Sequence, residues 1–171
     1  MTLASALIQC YFDYSCSSWY AGLNKQLKHK LQVCQNKMVR FILKLGPRER
    51  IDCNILESLN MLNISQRVTQ LRLHHVFNIH NANCPSYMLN GFTLVSEQSR
   101  YATRSCSSKN YMVPNNNYCS PCTFYYNAIK DWNDLPLNIK EISGKENFKI
   151  SLKEHLNIKS RESENATFIY F

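Results

Sequence analysis

Between residues 24 and 46 the apolar positions fall at Leu27, Leu31, Cys34, Met38, Phe41 and Leu45, alternately four and three apart. That spacing lays a stripe down one face of a helix. Asn24 is placed to cap its start and Gly46-Pro47 to end it, because Gly accepts the left-handed C-terminal position and Pro cannot continue the ladder. Ahead of it, Leu3, Leu7, Cys10, Tyr11 and Tyr14 mark a first helix that closes near Trp19 to Gly22, so the spacing predicts two antiparallel helices joined by a short turn. A basic loop follows. It leads to a short helix around 54–61 and a longer one from Ser65, a suitable N-cap, to about His80, with Ile64, Val68, Leu71, His75 and Ile79 on one face.

From 81 to 118 the pattern breaks into Pro, Asn, Ser and Gly, and the short apolar fragments 92–95 and 111–113 leave room for one short β-hairpin. Periodicity returns in a helix over 124–132, stopped at Leu135-Pro136, and in a last helix with Phe148, Leu152 and Leu156 four apart. The expected fold class is mainly α, a small helical bundle with an irregular middle region. Its expected parts are a basic helical region (1–80), an irregular connector (81–118), a short helical region (119–158) and a frayed tail (159–171).

Composition sharpens this picture. With 44% apolar residues and 18 Phe and Tyr in 171 positions, the chain has what a folded core needs and is about one domain long. Its 20 Lys and Arg against 12 Asp and Glu give a formal charge of +8. The excess is concentrated: residues 24–72 hold ten Lys or Arg against Glu49, Asp52 and Glu57. Lys30, Lys37, Arg40 and Lys44 lie beside the apolar stripe, and Arg48 and Arg50 in the loop after it, more basic charge than solubility requires. These six are the candidate contacts to a nucleic-acid backbone, since ammonium and guanidinium groups neutralise phosphates without reading bases. Tyr87, Phe92, Tyr101, Tyr111, Tyr118, Tyr125 and Tyr126 can either stack on bases or fill a small core.

Much chemistry is absent from the sequence. Four separated glycines form no phosphate-cradling loop, and no H-E-x-x-H, no G-x-S-x-G and no adjacent carboxylate pair occurs. Asp131 and Asp134 read as solvated residues flanking Trp132 at a helix end. Of His74, His75 and His80, His75 is expected as a hydrogen-bonded histidine on a helix face and the others as exposed. Cys119-Ser120-Pro121-Cys122 has the spacing at which two thiolates share a zinc, with Cys106 and Cys84 upstream as partners. No second C-x-x-C accompanies it, so buried thiols packing as small hydrophobes are the preferred reading and no cofactor is expected. No stretch is apolar enough to span a bilayer, the N-terminus has no basic region before its brief apolar run, and an intracellular location, cytoplasmic or nuclear, without membrane contact is expected.

Six short motifs stand in a particular order: Phe12-Asp13-Tyr14 with Trp19, the basic Leu31-Gln32 to Arg40 helix, the run LESLNMLNISQRV, Tyr101 to Arg104, Trp132 to Pro136, and Phe148-Lys149. Over about residues 4–156 this order resembles the region downstream of the polymerase core in reverse transcriptases of LINE-type (non-LTR, jockey-like) retrotransposons. The resemblance implies descent from an RNA-directed DNA polymerase and a place in the thumb and post-thumb segment that grips the template-primer duplex. It implies no polymerase activity for this chain, which lacks the family's palm strand of Tyr or Phe-x-Asp-Asp and looks like a truncated reading frame. The alternatives are a decayed remnant or helical interaction module, whose N-terminal apolar face packs on a missing palm domain or on a second copy, and a small zinc-binding regulator built on Cys119 and Cys122.

Overall fold

The basic stretch that opens at residue 24 does become a helix. In the computed structural model, which describes residues 3–81, 83–98, 108–114 and 120–168, ten α-helices account for most of the described residues. They are α1 (Leu3–Asp13), α2 (Cys16–Trp19, continued by a 3-10 turn Tyr20–Gly22), α3 (Lys25–Leu43), α4 (Cys53–Ser58), α5 (Ile64–His80), α6 (Ser86–Leu89), α7 (Val95–Gln98), α8 (Phe124–Asn133), α9 (Leu137–Lys140) and α10 (Lys145–Phe168). The mainly helical class is what the periodicity predicts. Contacts divide the chain into two units, Met1–Val68 with Lys153–Phe171, and Thr69–Leu152, so the division falls inside α5 and α10.

In the first unit α1 packs on α3. Asn24 caps α3 as expected: its Oδ1 accepts from the Leu27 N–H at 2.8 Å. The C-terminus differs from the expectation. Lys44, not Gly46, takes the left-handed position (φ 55°), with the Leu45 N–H donating to the Arg40 carbonyl at 2.9 Å, the bond that closes a Schellman cap. Gly46 lies beyond the cap, where its N–H donates to Glu49 Oε1 at 2.7 Å. Asn60 ends α4 in the same way, at φ 59° with Met61 N–H to Leu56 O at 2.8 Å. The N-cap of α5 is Asn63, whose Oδ1 accepts from the Gln66 N–H at 2.9 Å, rather than Ser65.

The buried face of α3 is also rotated from the expected one. Gln35, Met38 and Val39 are buried, whereas Leu27, Cys34 and Phe41, half of the expected stripe, are exposed. Amides explain the rotation. Gln35 Nε2 donates to the Leu62 carbonyl at 2.8 Å, Gln32 Nε2 donates to Gln35 Oε1 at 2.8 Å, and the Ile64 N–H donates to Gln32 Oε1 at 3.1 Å. A buried amide is tolerated when each polar atom finds a partner, and this chain of amides ties α3 to the start of α5. Cys16, Leu56, Leu62, Ile64, Val68 and Leu156 complete the core of this unit. Beyond Leu156, α10 runs on to Phe168 where the sequence predicts a frayed tail; Ser160 is buried and Arg161 pairs with Glu57.

The second unit is built around Trp132, fully buried on α8, whose Nε1 donates to the Lys109 carbonyl at 3.1 Å. Phe77 and Phe148 stack at a centroid distance of 4.2 Å, with Leu73, Val76, Ile129 and Leu152 buried beside them. Phe92, Tyr111 and Tyr125 join this aromatic packing, Phe92 lying 5.4 Å from each of the other two rings. Gly91 allows it: a Cβ there would stand 2.5 Å from Tyr125 Cε1. The two apolar fragments expected as a hairpin do meet, but in a single antiparallel bridge, Leu94 to Tyr111, with Val95 N–H to Asn110 O and Met112 N–H to Thr93 O both at 2.9 Å. No other β pairing occurs among the described residues.

Candidate nucleic-acid interface

Charge on α3 follows directly from its sequence. The helix has no acidic residue, and its exposed side repeats every seven positions: Leu27, Cys34 and Phe41 in one line, Lys30 and Lys37 in the next, with Lys44 following at the left-handed residue just past the helix end. Seven residues make nearly two turns, so each line runs almost parallel to the helix axis. Lys30, Lys37 and Lys44 are exposed, and among the described residues no carboxylate lies within 4.0 Å of them.

The remaining three candidates are placed differently. Arg40 turns toward the loop, its Nε and Nη2 donating to the Glu49 carbonyl at 3.1 and 2.7 Å, so its guanidinium fixes the turn after α3. Arg50 pairs with Asp52 at 2.8 Å. Arg48 is exposed in the turn between them. The structure therefore sets Lys30 and Lys37 in one line on α3, leaves Lys44 exposed at the left-handed residue that ends it, and commits Arg40 and Arg50 to contacts within the protein.

The aromatic candidates sort by burial. Phe92 and Tyr111 belong to the core of the second unit, Tyr125 and Tyr126 are half-buried, and Tyr87 is exposed; Tyr101 and Tyr118 lie outside the described residues. Sequence reading passes over the aromatics that the first unit exposes most. Phe41 is 75% exposed on α3, and Tyr11 and Tyr14 are each 79% exposed on and just after α1, where Leu7 is exposed too. The signal was present in the seven-residue spacing of Leu27, Cys34 and Phe41, which matches that of the lysines.

Histidines and carboxylates also depart from expectation. His75 is exposed, while His80 lies with Nδ1 2.8 Å from the Tyr111 hydroxyl and its ring 5.1 Å from Trp132. Burial, helped by Lys109, holds the His80 imidazole below its usual range, and burial pushes the Tyr111 phenol up. Asp131 is not merely solvated: Arg72, nearly buried, donates to its Oδ2 from Nε at 2.9 Å and Nη2 at 2.7 Å. Lys140 is buried and spends its ammonium on Asn110 Oδ1 at 2.8 Å and the Asn133 carbonyl at 3.1 Å.

Cys122 is an exposed free thiol and Cys84 a half-buried one, and Cys106 and Cys119 lie outside the described residues. Among the described residues no three His, Cys, Asp or Glu side chains are grouped as metal ligands, and no helix is long and apolar enough to cross a membrane. No family model, no curated protein and no solved structure matches the chain.

Proposed function

We propose that this chain is a non-catalytic, nucleic-acid-contacting fragment of the kind that its resemblance to the thumb and post-thumb region of a non-LTR retrotransposon reverse transcriptase implies. The observation that carries the reading is the exposure of Lys30 and Lys37 on a helix without a single acidic residue, with Lys44 exposed at its end. Together they offer three cations to a phosphate backbone and no group that distinguishes bases. Several motif residues that support the resemblance have architectural work instead: Asp13 is held by Arg67, Arg40 fixes a turn, and Trp132 and Phe148 are core.

A salt titration tests this. Affinity for a labelled RNA–DNA duplex should fall steeply as salt rises, and Lys37→Gln should lower the log-log slope by about 1. Absence of binding at low salt, or a flat response, removes the proposal. A second reading, self-association, is favoured by one observation: no described side chain of α1 is fully buried, and Leu7 and Tyr11 face outward. Exposed apolar faces of that kind drive association. Light scattering across a concentration series separates the two, because a monomer that still binds the duplex leaves self-association without support.

A further inference from the structure

Phe41 stands in a place where sequence periodicity expects a core residue, yet it is 75% exposed. A single exposed apolar side chain is ordinary on a protein surface. The company around this one is not. Phe41 follows Lys37 by four residues, about 6 Å along the helix axis, and Lys44 comes three residues later, exposed at the left-handed residue just past the helix end. Leu27 (43% exposed) and Cys34 continue the line of Phe41, and Lys30 continues that of Lys37. Nothing acidic on α3 interrupts the surface.

An occupant must then offer negative charge and flat apolar faces side by side at intervals of a few ångströms. Single-stranded nucleic acid does so, because each nucleotide carries a phosphate and an unstacked base. Duplex does not, since its base faces are covered by their neighbours everywhere but at the ends. A phenyl ring has no polar edge with which to read a groove, so its contribution depends on an uncovered base face.

We infer that Phe41 is a stacking platform for an unpaired base, flanked by Lys37 and Lys44 on the adjoining phosphates, so that this face of α3 takes single-stranded RNA or DNA in preference to duplex. This rests on the proposed nucleic-acid contact and specifies its substrate.

Anisotropy of labelled oligo-U and of a blunt duplex of equal charge, at low and moderate salt, tests it with the full chain and its Phe41→Ala, Phe41→Trp and Lys37→Gln variants. The expected result is tighter wild-type binding to oligo-U, a loss of at least about fivefold there for Phe41→Ala, and less than a twofold change on duplex. Phe41→Trp should restore binding, and its indole fluorescence should be quenched by oligo-U. Thermal melts establish that the variants fold, which the exposure of the ring favours.

If Phe41→Ala leaves oligo-U affinity unchanged while Lys37→Gln weakens both ligands, the backbone contact stands and the stacking inference is overturned. Equal weakening on both ligands also overturns it. So does a Phe41 effect seen only on anionic vesicles of phosphatidylserine and phosphatidylcholine. If the wild type binds neither oligonucleotide at low salt, the nucleic-acid reading itself fails.

Discussion

Arg67 holds both carboxylate oxygens of Asp13, Nε to Oδ1 at 3.0 Å and Nη2 to Oδ2 at 2.8 Å, and so joins the last residue of α1 to the first turn of α5. Two parallel charge-assisted bonds fix geometry that a lysine would not. No described side chain of α1 is fully buried, so this pair adds a polar anchor to the packing of α1 on α3.

Replacing Asp13 by Asn should therefore loosen α1 selectively. We expect a double-mutant cycle of Asp13→Asn with Arg67→Lys to give a coupling of about 1 kcal/mol, reduced from the buried-pair range by partial exposure. Limited proteolysis should cut Asp13→Asn first within residues 1–14. Equal protection of α1 in variant and wild type would show that its packing on α3 suffices alone.

The helix α3 shows how far the sequence could be read. Its existence, its N-cap and its basic character are all legible, because caps and periodicity act locally. The phase of its buried face is not. Apolar residues occupy two neighbouring lines, and the choice between them is made by Gln32 and Gln35, whose amides bury against Leu62 and Ile64. A pattern of apolar and polar letters cannot register a buried amide that finds partners some thirty residues away in sequence. Asp131 and His80 are misjudged for the same reason, their partners Arg72 and Tyr111 being equally remote. The spacing of Lys30 and Lys37 is a local property of the helix, but the loop closure made by Arg40 depends on a turn geometry that spacing does not encode.

Lys44 offers a test in which stability and binding move in opposite directions. A left-handed backbone is strained for any residue with a Cβ, so Lys44→Gly should stabilise the first unit by up to about 1 kcal/mol after the entropy of the unfolded chain is counted. The same change removes one of the three exposed cations, so the salt slope should fall by about 1. Denaturant unfolding and a salt titration on one preparation read both effects, and weakened binding in a more stable protein cannot be attributed to unfolding.

In the second unit, Asn133 clamps one residue's backbone from both sides: its Oδ1 accepts from the Tyr111 N–H at 2.9 Å and its Nδ2 donates to the Tyr111 carbonyl at 2.8 Å. Asn133→Ala leaves both backbone groups without this partner and should cost about 1 to 3 kcal/mol. Asn133→Asp sets a carboxylate against a carbonyl and should cost at least as much at neutral pH. Chemical denaturation of the two variants checks the order; an Asp variant as stable as wild type would mean that the donated bond is unimportant.

Stability should fall on acidification through the histidines. His80 and His155 are both held below the usual imidazole range, chiefly by burial, with Lys109 acting on His80 and Lys159 on His155. The unfolded chain then binds more protons than the folded one below about pH 6.5, so unfolding free energy declines as pH drops through that value toward the lower folded-state values. His80→Gln should flatten part of the decline and His155→Gln the rest. Melting temperatures from pH 8 to pH 5 report this, and an unchanged profile in both variants would assign the decline to other groups.

Gly91 and the ring of Tyr125 occupy what is in effect one side chain's worth of space, shared between two positions thirty-four apart in the chain. The dependence runs one way. A smaller residue at 125 makes no demand on position 91, whereas any side chain at 91 drives the Tyr125 ring out of its packing on Phe92, so that a substitution at 91 keeps this arrangement only where position 125 has already become smaller.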